Sequence, residues 1–251
     1  LRYLLLDFDK TLSDQARLYP QFCQCIAERL RAQFGGDEAA VLTAVTDMLG
    51  CLVAEFEERF TGKPHAGYCA WLPQRHLRAT EILSASLGFT PPYEAVQFAR
   101  DVQYEALCRC DALYDGAAEA LAEAADRGYP LVMASANESE FLEAALKGAG
   151  IAAHFSLPHF GPDTIDCAKE GPEFYQAIFE SLGIRSQDAI VVDDKIECLT
   201  WARDLGTATL HANLHDRDAD GDSGHSAFSH WNHFLPLLDG IHMVHGNKLP
   251  F

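Results

Sequence analysis

Apolar residues fall into two regimes along this chain. At the start, Leu4-Leu5-Leu6 form an unbroken run that leads straight into Asp7-Phe8-Asp9-Lys10-Thr11. Such runs read as strands buried on both faces, the kind found inside parallel sheets. From about residue 14 the spacing becomes helical. Phe22, Ile26, Leu30 and Phe34 recur four apart, which predicts a helix from Pro20 to Phe34, stopped by Gly35-Gly36. Asp37 suits the N-cap of a second helix running to about Phe60. A loop rich in breakers, 61–67, precedes a third helix from about Pro73 to Leu87. A turn over Gly88 to Pro92 then leads into a fourth helix, ending near Cys110. No strand pattern occurs in this block.

After Asp115-Gly116 strands and helices alternate. Strands are predicted at Tyr129 to Ser135, around His154 to Leu157, at Ala189 to Asp194, and at Thr207 to His211. Helices are predicted at Ala117 to Arg127, about Glu138 to Lys147, Pro172 to Leu182 and up to Leu205, with a last one from about Phe228 to Leu238. Short connections between alternating elements mean βαβ units. With the opening strand this gives an α/β fold of about five parallel strands. Residues 1–13 and 111–251 would form the α/β core, and 14–110 an all-helical domain inserted after the first strand.

Three of these strands end in polar groups: Asp7 with Asp9, Ser135, and Asp193 with Asp194. In open α/β sheets the ligand crevice lies beyond the carboxyl ends of the strands, so these groups would converge there. Residues two apart in a strand face the same way, which sends Asp7 and Asp9 into one space. Two like charges there are costly unless a cation or a proton offsets them. The stretch reads as a catalytic centre.

Composition narrows the classes. At 251 residues, 48% hydrophobic and 22% charged, the chain supplies a core and a soluble surface. A formal net charge of −18 argues against binding nucleic acid or a membrane surface, both of which want a basic face. It still allows a phosphorylated small molecule where local cations outweigh the global field. No run of about 18 consecutive apolar residues occurs, so no transmembrane helix is expected. The start lacks a basic n-region and its apolar run ends in Asp7, unlike a signal peptide. Eight cysteines without an export signal read as reduced thiols, which points to the cytoplasm. The C-x-C pairs Cys23/Cys25 and Cys108/Cys110 read as buried helix thiols rather than zinc ligands, whose usual spacing is C-x2-C.

Taken together, these motifs resemble the haloacid dehalogenase-like superfamily of aspartate-nucleophile phosphotransferases. Its DxDx[TV] motif matches Asp7-Phe8-Asp9-Lys10-Thr11, and its strand ending in Ser or Thr matches Leu131 to Ser135. Its lysine motif matches Lys169-Glu170-Gly171-Pro172-Glu173-Phe174-Tyr175, with Glu170 replacing a proline. Its acidic strand end matches Val191-Val192-Asp193-Asp194. The resemblance implies a Rossmann-like core with a helical cap, and a magnesium-dependent phosphatase acting on a small phosphorylated metabolite, as monomer or homodimer.

It also implies roles. Asp7 would attack phosphorus and Asp9 would serve as acid and then base. Ser135, Ala136, Lys10 and Thr11 would hold the phosphate, and Lys169 would offset the charge around it. Magnesium would take Asp7, the Asp9 backbone carbonyl and an acid of the fourth motif. Register on Ala202 and Gly206 favours Asp194 as that acid and puts Asp193 behind it near Lys169; the other register makes Asp193 the ligand and Glu197 the later acid. Three rivals stay open. A phosphomutase shares every motif. A dehalogenase shares the nucleophile, but needs no metal and usually lacks the second aspartate. A binding protein that has lost catalysis would share the fold.

Cationic cap residues suit an anionic substrate: Lys63, Arg75 and His76 first, with His65 and Arg78 beside them. Any single one of them reads more readily as a solvated surface residue, since charged side chains are usually exposed. Tyr68 and Trp71 could close over a substrate, but read first as packing between cap and core. Asp216-Arg217-Asp218-Ala219-Asp220-Gly221 starts like a calcium loop, but Ala227 stands where the twelfth-position acid belongs, so it reads as an acidic surface loop. Seven histidines between His211 and His245 read as incidental, only His211 and His215 showing an i, i+4 spacing near a strand end.

Overall fold

Leu4, Leu5 and Leu6 are fully buried and form β1 (Tyr3–Leu6), an inner strand of a parallel sheet. Burial of each such leucine contributes about 2 kcal/mol, enough to hold the strand between two layers of helices. In the computed structural model, residues 2–65, 67–214 and 224–246 are described. The other strands are β2 (Leu131–Met133), β3 (Ala189–Asp193), β4 (Ala208–Ala212) and β5 (Ser226–Phe228). They pair in the order β2-β1-β3-β4-β5, every pair parallel. β1 and β3 sit side by side, Leu6 opposite Val192, so their carboxyl ends emerge together.

Between β1 and β2 the chain forms helices α1 (Gln15–Phe34), α2 (Glu38–Phe60), α3 (Tyr68–Leu87), α4 (Ala95–Leu107) and α5 (Ala117–Asp126). Asp14 and Asp37 cap α1 and α2, accepting hydrogen bonds from the backbone amides of Ala16 and Ala40. α1 and α3 begin before Pro20 and Pro73, which lie inside the helices and each remove one backbone donor. The remaining helices are α6 (Ser139–Gly148), the short α7 (Pro162–Ile165), α8 (Pro172–Leu182), α9 (Ile196–Asp204) and α10 (Phe234–Gly246). One apolar cluster runs without a break from Leu4 and Leu6, through Ile26, Met48 and Leu52 of α1 and α2, to Leu142 of α6.

Two expectations change. The strand expected around His154 to Leu157 is absent. Ala152–His154 is a 3-10 turn, Pro158 interrupts the stretch after it, and only Phe160 touches the sheet, through a single bridge to Ala134. The fifth strand is instead β5, which takes Phe228 from the start of the expected last helix. That helix begins at Phe234, after a 3-10 turn at Trp231–His233. α2 also qualifies the absence of a spanning helix. Its 23 residues are long and apolar enough to cross a membrane by length and composition, with mean hydropathy 1.6 over 18 residues, one third of them buried. Its apolar content is interrupted by Thr43, Thr46, Asp47 and Gly50, so no unbroken run announces it. The calcium-like loop and His215 lie outside the described residues.

Candidate active site

β1 delivers Asp7 to the carboxyl edge of the sheet, where the Asp7 amide still donates to the Val192 carbonyl at 3.0 Å. Phe8 turns into the core, 3% exposed, and leaves Asp7 and Asp9 facing one cavity. The chain then reverses through Lys10, whose φ of 59° lies in the left-handed region that a side chain rarely adopts. Strain of this kind costs on the order of 1–3 kcal/mol and concentrates at functional sites. The turn closes with the Leu12 and Ser13 amides donating to the Phe8 carbonyl.

The cavity, about 570 Å³, is walled by Asp7, Asp9, Lys10, Ser135, Ala136, Lys169, Asp193 and Asp194, together with Gln15, Ala16 and Tyr19 of α1 and Lys195. Strand ends from β1, β2 and β3 thus meet on one rim, joined by Lys169 from the loop before α8. Thr11, expected at the phosphate, lies elsewhere. The turn at Lys10 points it inward, fully buried, with its hydroxyl donating to Asp7 at 3.4 Å.

Lys169 is the electrostatic hub. Its Nζ lies 2.7 Å from Asp7, 2.6 Å from Asp193 and 3.0 Å from the Ala134 carbonyl, and its side chain is 4% exposed. Burial works against its charge, but Asp193 and Asp7 outweigh burial and hold the lysine well above its usual range. Asp193 is fully committed: Oδ2 accepts from Lys169 and from the Tyr175 hydroxyl at 3.2 Å, and Oδ1 accepts from the Lys195 amide at 2.9 Å.

Asp9 has no ion pair among the described residues. Its Oδ1 accepts from the Gln15 amide and its Oδ2 from Asn137 at 3.0 Å. Burial, then the nearby Asp7 charge, push its carboxyl up to about 6, against the pull of Asn137. Burial, then Asp7 and Asp193, push Asp194 up to about 7. Carboxylate oxygens of Asp7, Asp193 and Asp194 lie within 4.8 Å of one another. Hard oxygen donors this crowded suit a small divalent cation, which would relieve the repulsion that raises Asp194.

The cap residues divide. Arg75 and His76 of α3 both reach Glu138, at 2.9 and 3.0 Å, joining the cap to the loop after β2. His76 is 1% exposed and Arg75 lines a second cavity beside the first. Lys63 is exposed and donates to the Glu58 carbonyl, in neither cavity wall, and His65 is exposed as well. Arg78 pairs with Glu55 at the surface. Tyr68 and Trp71 pack with Phe56 and Phe60, which takes them out of any closing role. Gln15 and Asn137, which contact Asp9, and Glu138, which contacts Arg75, are neighbours that the sequence pattern does not single out.

Comparison with known proteins bears on this arrangement. A family model described as haloacid dehalogenase-like hydrolase matches residues 1–206. No curated protein matches the chain in sequence. Among solved structures, an L-2-haloacid dehalogenase from Xanthobacter autotrophicus with chloropropionic acid covalently bound is 16% identical, with a TM-score of 0.61 over 96% of this chain and 99% of that one. The magnesium-bound HAD hydrolase YfnB from Bacillus subtilis is 16% identical, with a TM-score of 0.61 over 95% and 98%. A HAD phosphatase from Thermococcus onnurineus is 15% identical, with a TM-score of 0.56 over 96% and 99%. At these identities the likeness speaks for the fold.

Proposed function

The chain belongs to the haloacid dehalogenase-like hydrolase family, and from that premise we propose that it is a magnesium-dependent phosphatase of small phosphate monoesters, working through an aspartyl-phosphate on Asp7. One observation carries the reading. Two carboxylates share the cavity in different settings: Asp7 is held beside the Lys169 cation, and Asp9, without an ion pair among the described residues, is pushed up to about 6. A nucleophile must be ionised, while a general acid works best with a pKa near the working pH.

The reaction has two halves. An Asp7 carboxylate oxygen attacks phosphorus in line, and the bond from phosphorus to the leaving oxygen breaks. Asp9 gives its proton to that oxygen, and the alcohol departs. Asp9, now ionised, takes a proton from water as the water oxygen attacks the aspartyl-phosphate, which frees phosphate and restores Asp7. Ser135, Ala136 and Lys10 line the space for the phosphoryl oxygens, and Lys169 offsets the charge that Asp7 shares with them. Magnesium, when bound, would neutralise phosphoryl charge. Asp7, Asp194 and the Asp9 carbonyl would hold it, with Asp193, fully buried and accepting from Lys169, Tyr175 and Lys195, standing behind them.

Asp9→Asn tests the reading against a dehalogenase, whose chemistry has no leaving oxygen to protonate. Turnover of an alkyl phosphate should fall by about 10²-fold or more, the usual contribution of a general acid, and much less for an aryl phosphate with a good leaving group. Equal losses on both substrates, or wild-type halide release from 2-chloropropionate without metal, would contradict it.

A further inference from the structure

Beside the phosphate cavity lies a second chamber of about 230 Å³. Asp9, Gln15 and Tyr19 line both, so the two spaces meet at the residue that would protonate the leaving oxygen. Beyond that neck the wall is mostly carbon. Leu18 and Phe22 come from α1, Leu49 and Val53 from α2, and Phe141 and Leu142 from α6.

The polar groups that reach the chamber are engaged. Arg75 is its one cation among the described residues, and Glu138 already matches that charge at 2.9 Å with a carboxylate only 6% exposed. The Asn137 amide donates to Asp9, and the Gln103 amide to the Ala99 carbonyl at 3.0 Å. A polyol placed here would lose its water partners against carbon, and a second anion would meet no surplus positive charge. An apolar group would gain from burial. The space suffices for one ring or a short branched chain, since a cavity of about 150 Å³ holds benzene.

We propose that this chamber receives the leaving group, and that the group is an uncharged apolar alcohol, alkyl or aryl, rather than a sugar, a nucleoside or a carboxylic acid. This rests on the phosphatase reading, because it takes Asp9 as proton donor to the departing oxygen. That oxygen stands at the neck, and its carbon skeleton lies between α1, α2 and α6. Val53, 56% exposed, marks the outer rim.

The test is a substrate series on the wild-type protein with magnesium: propyl, butyl and pentyl phosphate, glycerol 3-phosphate, glucose 6-phosphate and acetyl phosphate. kcat/KM should rise about fourfold per added methylene, the worth of one buried CH2. Butyl phosphate should exceed glycerol 3-phosphate, and pentyl phosphate glucose 6-phosphate, each by at least about 10-fold, since hydrophobic pockets discriminate by about 10–200-fold per group. V53D, at an exposed position that tolerates a charge, should lower kcat/KM for pentyl phosphate at least about 10-fold more than for acetyl phosphate, whose small leaving group does not fill the chamber. Should V53D fail to fold, the wild-type series decides alone. Hydrolysis with the polyol esters equal or preferred, or a rate flat with chain length, overturns the proposal and leaves the phosphatase reading standing. A wild-type protein that hydrolyses none of these compounds, the acyl phosphate included, removes both.

Discussion

Asp194 is where charge crowding is felt most openly. Its carboxyl is pushed from 3.8 up to about 7, and that of Asp9 from 3.8 up to about 6. Both groups hold protons more tightly in the folded chain. Between pH 4 and pH 7, roughly, the folded state therefore binds more protons than the unfolded one, and metal-free stability falls as pH rises through that window. Asp194→Asn removes the contribution of Asp194. It should raise the metal-free melting temperature at about pH 8 and flatten its decline from about pH 5, while cancelling the gain that magnesium gives the wild type. A lower melting temperature at the higher pH, measured by calorimetry without metal, would contradict this picture of the site. Which residues meet here could largely be read from the chain, because Asp7, Ser135 and Asp193 each stand where an apolar strand run breaks off in a polar group. Gln15, Asn137 and Glu138 could not be read that way. They open helices or follow strands among other polar residues, and nothing in such settings separates a partner of Asp9 or Arg75 from a solvated side chain.

Among the elements, long periodic helices were the most legible. α2 starts at the Asp37 cap and ends at Phe60, as its spacing and cap imply. Short strands were the least. β5 has three residues, too few for a period-2 pattern to stand out, and it forms because β4 offers an open edge to Ser226 through Phe228. The stretch near His154 looked like a strand by composition but closes into a turn. The contact between the inserted helices and the core depends on a residue with no side chain. A Cβ on Gly148 of α6 would stand 2.3 Å from the Leu107 carbonyl and 2.5 Å from the Cys110 carbonyl, at the end of α4. Backbone cannot yield as a flexible side chain can. Gly148→Ala should therefore cost about 1–3 kcal/mol, although alanine ordinarily favours a helix. A denaturant midpoint equal to or above that of wild type would show that the two helices are not in close contact.

At the scale of the molecule, one continuous apolar cluster binds the inserted helices to the sheet, and ion pairs fasten its edge. Arg75 and His76 meet Glu138, and Arg100 meets Glu140 through Nε at 3.0 Å. The apolar chamber is enclosed between these same helices and α6, directly beside Asp9. A chain with net charge −18 keeps an enclosed cation at its centre, Lys169, against two carboxylates. Lys10 and Lys195 add two more cations to the cavity wall, and a divalent ion among Asp7, Asp193 and Asp194 would tip the local balance toward the positive charge that a phosphate ester needs. The central claim is that Asp7 attacks phosphorus. Acid-quenched mass spectrometry of the peptide carrying Asp7, during turnover of acetyl phosphate, tests it most directly. A phosphoryl group on Asp7, absent in Asp7→Asn and absent after magnesium is chelated, is the predicted result. An unmodified Asp7 under these conditions, with an alkyl ester on Asp7 when 2-chloropropionate is supplied without metal, would contradict it.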